Sequence, residues 1–235
     1  MRKKVKRNIT RFLILLGGVL LVLISIIGYY TIINEAPILR GQVDLQIGYK
    51  DQLNLDIYHP TNVIYERSPV VIYVHGGAWI TGTKGALNFN RFNEAINELR
   101  ANGYAIVCPN YTLARSGDSP FPHCIIDVFD AIRWVNENAE VYNFDLENVG
   151  LLGESAGSHI AMMTAFAPPS HFGADSHNIE FKYLLNIYGP NDLSALYHAP
   201  LLDTLNNLLE KLPAGLQTHF DLPGKLFGFD PEKDS

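Results

Sequence analysis

Cysteine is scarce: Cys108 and Cys124 are the two in 235 residues. No Cys/His spacing fits a zinc site, so no metal is expected, and no sequence feature calls for an organic cofactor. Cys108 reads as a buried strand residue and Cys124 as the start of a helix, which leaves one bridge or two buried free thiols open. Charge is also sparse, at 18% of residues against 47% hydrophobic, which excludes a disordered chain. Internal repeats and low-complexity segments are absent. Acidic residues are missing from the first 34 positions, Glu35 being the first. Arg2, Lys3, Lys4, Lys6, Arg7 and Arg11 hold six of the 18 basic residues, so positions 12–235 carry 12 basic against 24 acidic side chains, a net of −12. A body this acidic has no basic patch to neutralise phosphates, which excludes nucleic acid as its partner.

Charge is missing altogether from Phe12 to Ile33, 22 residues dominated by Leu, Ile and Val with Tyr29 and Tyr30 near the far end. About 20 apolar residues span a bilayer as a helix, and aromatic residues favour its interface. The basic cluster precedes the run and Glu35 follows it, so the positive-inside rule places residues 1–11 in the cytoplasm and everything after 33 outside. A cleaved signal peptide would have a shorter apolar region and a small-x-small site; Tyr-Tyr-Thr-Ile-Ile-Asn-Glu-Ala-Pro offers none. The expectation is a single-pass signal anchor over 12–33, a tether over 34–40 and an extracytoplasmic domain over 41–235, long enough for one large core.

Within that domain, Val43–Tyr49 and Leu53–Tyr58 alternate apolar and polar residues around a short turn, which predicts a hairpin of half-buried strands. Val70–Val74 is a continuous apolar run, the pattern of a central parallel strand. Further strands are expected at 104–108, 149–153 and 183–188. Helices are expected with Phe89, Phe92, Ile96 and Leu99 on one stripe, with Ile125, Val128, Ala131, Ile132 and Val135 on another, and from Ser155 to about Ala167. Strands alternating with helices of 12–16 residues predict an α/β three-layer sandwich, a mostly parallel sheet with an antiparallel N-terminal hairpin. Past Asp192 a leucine stripe and then irregular Pro/Gly sequence replace this rhythm, and 193–235 reads as a lid-like insertion.

The chemistry concentrates in two stretches. In Gly153-Glu154-Ser155-Ala156-Gly157 an apolar strand leads into Gly-x-Ser-x-Gly and a helix follows. That context makes the motif a nucleophile elbow, with Ser155 on a strained turn that needs Gly153 and Gly157 as small neighbours. The new helix also aims its first N–H groups at charge developing beside the serine. His75-Gly76-Gly77-Ala78-Trp79 directly follows the third strand. Adjacent glycines let backbone N–H groups converge on a carbonyl oxygen as it becomes negative.

Together with Asn110-Tyr111-Thr112-Leu113-Ala114, Pro120-Phe121-Pro122 and Asp127–Val135, these stretches resemble the HGG-motif esterase and lipase branch of the α/β-hydrolase superfamily. The Ala-Trp ending is most similar to carbohydrate-esterase-like and feruloyl-esterase-like members. The resemblance covers about residues 41–195. It implies Ser155 as nucleophile, the N–H groups of Gly76, Gly77 and Ala156 as oxyanion hole, and His75 as a support of the loop rather than the base. Two positions depart from the family pattern: Asn110-Tyr111-Thr112 stands where Asp-Tyr-Arg is usual, and Ser158 where a further glycine is usual.

The family's order is Ser, then Asp or Glu after the seventh strand, then His after the eighth. Six strands are expected here. Asp192 reads first as a helix cap and second as an acid, and His219 is a histidine that follows it in the right order. The expectation is a chain missing the last third of the domain, and therefore impaired. The function expected is a serine carboxylic-ester hydrolase acting on a small-molecule or carbohydrate-linked ester. The alternatives are a catalytically dead binding domain, or an amidase or peptidase on the same fold.

Overall fold

The computed structural model describes residues 17–25, 41–88, 92–115 and 118–197. The basic segment 1–11, the tether 34–40, Phe89, the leucine stripe beyond 201 and His219 lie outside the described residues. Of the expected anchor, residues 17–25 are described, as an exposed apolar helix α1. Among the described residues no helix is long and apolar enough to cross a membrane.

The hairpin is β1 (Val43–Lys50) and β2 (Leu53–Tyr58), paired antiparallel. The apolar run becomes β3 (Ser68–Val74). After a 3-10 turn at Lys84–Asn88 come α2 (Asn93–Ala101), β4 (Ala105–Pro109), α3 (His123–Glu137) and the single turn α4 (Ala139–Tyr142). Then follow β5 (Phe144–Glu154), α5 (Ala156–Phe166), β6 (Phe181–Ile187) and α6 (Leu193–Tyr197). The six strands form one sheet in the order β1-β2-β4-β3-β5-β6. β3 runs parallel to β4 and β5, and β5 parallel to β6, while β2 joins β4 antiparallel. This is the mostly parallel sheet with an antiparallel leading hairpin that the sequence predicts.

The sheet separates two apolar clusters. Val70, Ile72, Val74 and Val107 face α3 and α5, and Cys124 lies among them. Val71, Tyr73, Ile106 and Cys108 face the other way, against Leu87 and Ile96. The two cysteines therefore stand on opposite faces of the sheet, and both are buried free thiols. Burial pushes the Cys108 thiol well above its usual value.

Three expectations need correction. First, the helices are shorter than 12–16 residues on two occasions: α2 has nine and α5 eleven. α2 starts at Asn93 and stops at Asn102-Gly103, where Gly103 turns to φ +88°. Second, β2 is not half-buried. It lies inside the sheet between β1 and β4 and is buried from Leu55 to Tyr58, Asp56 included. Asp56 meets Lys84 at 2.7 Å, with both side chains at or below 5% exposure. Removing one member of such a pair leaves the other charge buried without compensation, which costs about 3–5 kcal/mol. Lys84→Met is therefore expected to lower the unfolding free energy, read from urea titration, by that amount, while the double variant Lys84→Met/Asp56→Leu recovers most of it. Third, β6 is not a buried strand: among the described residues it pairs with β5 alone, and Leu185 is 44% exposed.

Candidate active site

All four parallel strands release the chain at one edge of the sheet, so His75, Asn110, Ser155 and Tyr188 follow the ends of β3, β4, β5 and β6 there. Ser155 has φ +52° and ψ −118°. A non-glycine residue in that conformation is strained and persists only where its surroundings hold it. The surroundings are specific. Ser155 N–H donates to the Ile187 carbonyl at 2.9 Å, and its own carbonyl accepts from Ser158 and His159 N–H at 3.0 and 3.2 Å. A Cβ on Gly157 would fall 2.1 Å from the Val74 oxygen and 2.4 Å from the His75 oxygen, so α5 lies directly on the end of β3. Ser158, the departure from the family pattern, ties α5 to β6: its Oγ donates to the Gly153 carbonyl and accepts from Ile187 N–H at 2.9 Å.

The His75–Trp79 loop folds over the serine. A Cβ on Gly76 would lie 3.5 Å from the Ser155 Cβ, so the backbone of this loop touches the Ser155 turn. Gly77 has φ +130°, and Ala78 and Trp79 follow at +52° and +58°. Three successive left-handed residues curl the chain so that Ile80 and Thr81 N–H return to the Gly77 carbonyl at 3.1 and 3.0 Å. Among the described residues no carbonyl or side chain accepts from the N–H of Gly76, Gly77 or Ala156. Of these three, Ala156 follows Ser155 directly in the chain and Gly76 lies against its turn.

His75 is held within the loop by its own ring. Its Nδ1–H donates to the Gly76 carbonyl at 2.8 Å, and its ring stacks on Tyr111 at 4.2 Å. Tyr111 O–H donates in turn to the His75 carbonyl at 2.7 Å. His159 is buried edge-on to Trp79 and Phe121, with ring centroids 5.5 and 5.7 Å away. Burial pushes both histidines down from 6.5 to about 4. In the unfolded chain both bind protons near 6.5, so as pH falls the unfolded state is protonated first. Stability is full above 6.5 and is lost between 6.5 and 4, by on the order of 3 kcal/mol per ring. Urea midpoints measured from about pH 7.5 to 4.5 should fall accordingly, and His159→Phe should remove roughly half of the decline.

Neighbouring side chains complete the scaffold. Tyr73 O–H donates to Glu154 at 3.1 Å and Tyr188 O–H donates to its other oxygen, so Glu154 links β3, β5 and the end of β6. Asn110 Oδ1 accepts from Lys84 N–H at 2.7 Å. Buried Asp127 accepts from Thr112 N–H at 2.8 Å and from Lys50 at 2.7 Å, which fixes the loop after β4. Sequence reasoning placed Glu154 in the elbow motif as support and gave Tyr73, Asn110, Thr112 and Asp127 no role of their own. Asp192 caps α6, its Oδ1 accepting from Ala195 N–H at 2.9 Å, which is the first of its two expected readings. Ser155 Oγ has no hydrogen-bond partner among the described residues. No group of three or more His, Cys, Asp or Glu side chains among them could hold a metal ion.

The BD-FAE family model matches residues 55–216. A curated relative, "Probable carboxylic ester hydrolase LipM" of Mycobacterium tuberculosis, is 28% identical over 188 residues, covering 76% of this chain and 42% of that protein. Esterase LipQ of the same organism is 33% identical over 144 residues, 60% of this chain and 33% of its own. The chain thus spans about a quarter to two-fifths of the length of the curated relatives it matches. A solved structure of an inhibited esterase B from Lactobacillus rhamnosis superposes with a TM-score of 0.61 at 22% identity, covering 88% of this chain and 68% of that one. At that identity the likeness shows a shared fold, that of the α/β-hydrolases.

Proposed function

Since the chain belongs to the BD-FAE family, we propose that it carries the nucleophilic half of a serine carboxylic-ester hydrolase. In this reading Ser155 Oγ attacks the acyl carbon of a small-molecule or carbohydrate-linked ester. The N–H groups of Gly76, Gly77 and Ala156 hold the oxygen as it becomes negative, worth about 10²–10³ in rate per donor. The alcohol leaves with a proton, and water releases the acyl group. One observation carries the reading: Ser155 sits at φ +52° on the β5–α5 turn, against the backbone of Gly76. In this reading the general base and its acid come from outside the described residues; His75 and His159 are engaged in the loop and the aromatic cluster. Cofactors play no part in this chemistry.

The anchor belongs to the same proposal. Residues 12–33 hold the protein in a membrane, with residues 1–11 in the cytoplasm and the hydrolase domain outside, on the strength of the uncharged run and the basic cluster before it. A second reading, a hydrolase-like domain that binds without turning over, is favoured by the lack of a partner on Ser155 Oγ among the described residues.

Purified full-length protein assayed on matched acetyl, feruloyl and amide substrates separates these readings. Ester turnover with little amide cleavage is expected. Preferential amide cleavage would reassign the elbow to an amidase or peptidase. Binding without turnover of any substrate would favour the second reading.

A further inference from the structure

Four exposed large apolar side chains, three of them consecutive, lie on elements at the edge of the sheet opposite Ser155. β1 is antiparallel to β2 and β2 to β4, so β1 begins at the same edge as β3, β4 and β5. That edge receives the chain at Gly41 and Gln42, carries the loop 59–67 between β2 and β3, and ends with α4 and Asn143 before β5. Direct contacts bind these pieces together. His59 N–H donates to the Gln42 carbonyl at 3.1 Å, and buried Arg100 donates to the carbonyls of His59 and Gln42 at 2.8 and 3.3 Å. Ser68 N–H donates to the Asn143 carbonyl at 2.9 Å, and Arg67 pairs with Glu140 of α4.

On this braced surface Val63 is 96% exposed, Ile64 53%, Tyr65 45% and Val141 77%. Single exposed apolar residues are ordinary, but a cluster on one edge marks an interaction site. The loop that carries Val63, Ile64 and Tyr65 is fixed. Thr61 N–H and Asn62 Nδ2 donate to the carbonyls of Arg100 and Ala101 at 3.0 and 2.8 Å, and Tyr65 packs edge-on to Tyr104.

We propose that this edge docks onto the surface of a lipid bilayer, seating the domain with Ser155 facing away from the membrane. The proposal rests on the anchored reading of residues 12–33. Seven residues, 34–40, separate that run from Gly41. Fully extended they reach about 25 Å, so the edge at which the chain enters the domain is held close to the bilayer. The charges decide the mode of contact. Arg67 is paired with Glu140, and Glu66 adds a negative charge, so the loop itself offers no net positive charge to anionic headgroups. Insertion of Val63 and Ile64, with Tyr65 at the headgroup level, carries the contact. The seven residues of β3 span about 23 Å, which lifts the opposite edge clear of the headgroups. Substrate then reaches Ser155 from the side away from the membrane.

The test uses the full chain reconstituted in phosphatidylcholine vesicles, with an environment-sensitive fluorophore on Val63→Cys. Cys108 and Cys124 are fully buried and resist labelling. The control is Asp51→Cys, in the β1–β2 turn at the opposite edge. The expected result is that vesicles carry the protein on flotation, that emission at 63 shifts to the blue, and that doxyl lipid quenches it at least twofold while leaving 51 unaffected. Flotation with no change at 63 overturns the docking and leaves the anchor standing. A blue shift that doxyl lipid does not quench puts a second copy or another protein on the patch, and overturns the proposal. Failure to float overturns the anchor and the docking together.

Discussion

Gly157→Ala is expected to leave no stably folded domain. The added Cβ would sit 2.1 Å from the Val74 oxygen and 2.4 Å from the His75 oxygen, well inside the 3.0 Å below which real Cβ contacts essentially never occur. Both obstacles are backbone atoms, so no side chain can rotate away. α5 would have to lift off β3, breaking the Ser158 bonds that join it to Gly153 and β6. Compensation from elsewhere is unavailable because β3 is fixed by β4 on one side and β5 on the other. The cost should reach at least about 4 kcal/mol, read as an insoluble product or as loss of a cooperative urea transition. Gly48→Ala is the control: nothing lies within 4 Å of its added Cβ, and its effect should be near zero. A folded Gly157→Ala protein with an unchanged midpoint would contradict the packing of the elbow described above.

Ser155→Ala carries the second large effect, and it falls on catalysis rather than folding. The side chain makes no hydrogen bond among the described residues, so its removal costs the fold little. The strain at φ +52° remains, because alanine tolerates that region no better than serine. Turnover of an ester by the full-length protein should fall about 10⁴- to 10⁶-fold in kcat/KM, equivalent to about 5–8 kcal/mol of transition-state stabilisation. The remaining rate comes from binding and the backbone donors of Gly76, Gly77 and Ala156. An unchanged melting temperature alongside that loss would separate chemistry from stability. Retention of activity in Ser155→Ala would exclude this serine as nucleophile.

The parts of the molecule legible in sequence are those that local chain physics dictates. β3 is visible because a strand covered on both faces must be apolar at every position. The elbow is visible because a strained serine between a strand and a helix demands Gly153 and Gly157 at fixed offsets. Asp56 shows where such reasoning stops. Its place in an alternating strand predicts a solvated face, and the order of the sheet puts that strand inside, with Lys84 brought across to neutralise it. The partners of the site are hidden for the same reason. Tyr111 on His75, Tyr73 and Tyr188 on Glu154, and Asp127 on Thr112 meet across 15 to 81 positions of chain. Nothing in the local pattern of either partner announces the other. Ser158 reads in sequence as a departure from a family pattern, and only the return of β6 beside α5 reveals it as a hydrogen-bonded link. Burial of β6 is overestimated from its apolar run because sequence cannot say how many neighbours a strand will have.

The central claim, that Ser155 is an activated nucleophile beside a formed oxyanion hole, is tested most directly by a fluorophosphonate probe on the full-length protein, followed by peptide mapping. The account predicts a single phosphonylated peptide with the label on Ser155, abolished in Ser155→Ala. A folded wild-type protein that takes no label, or one labelled at another residue, would contradict it.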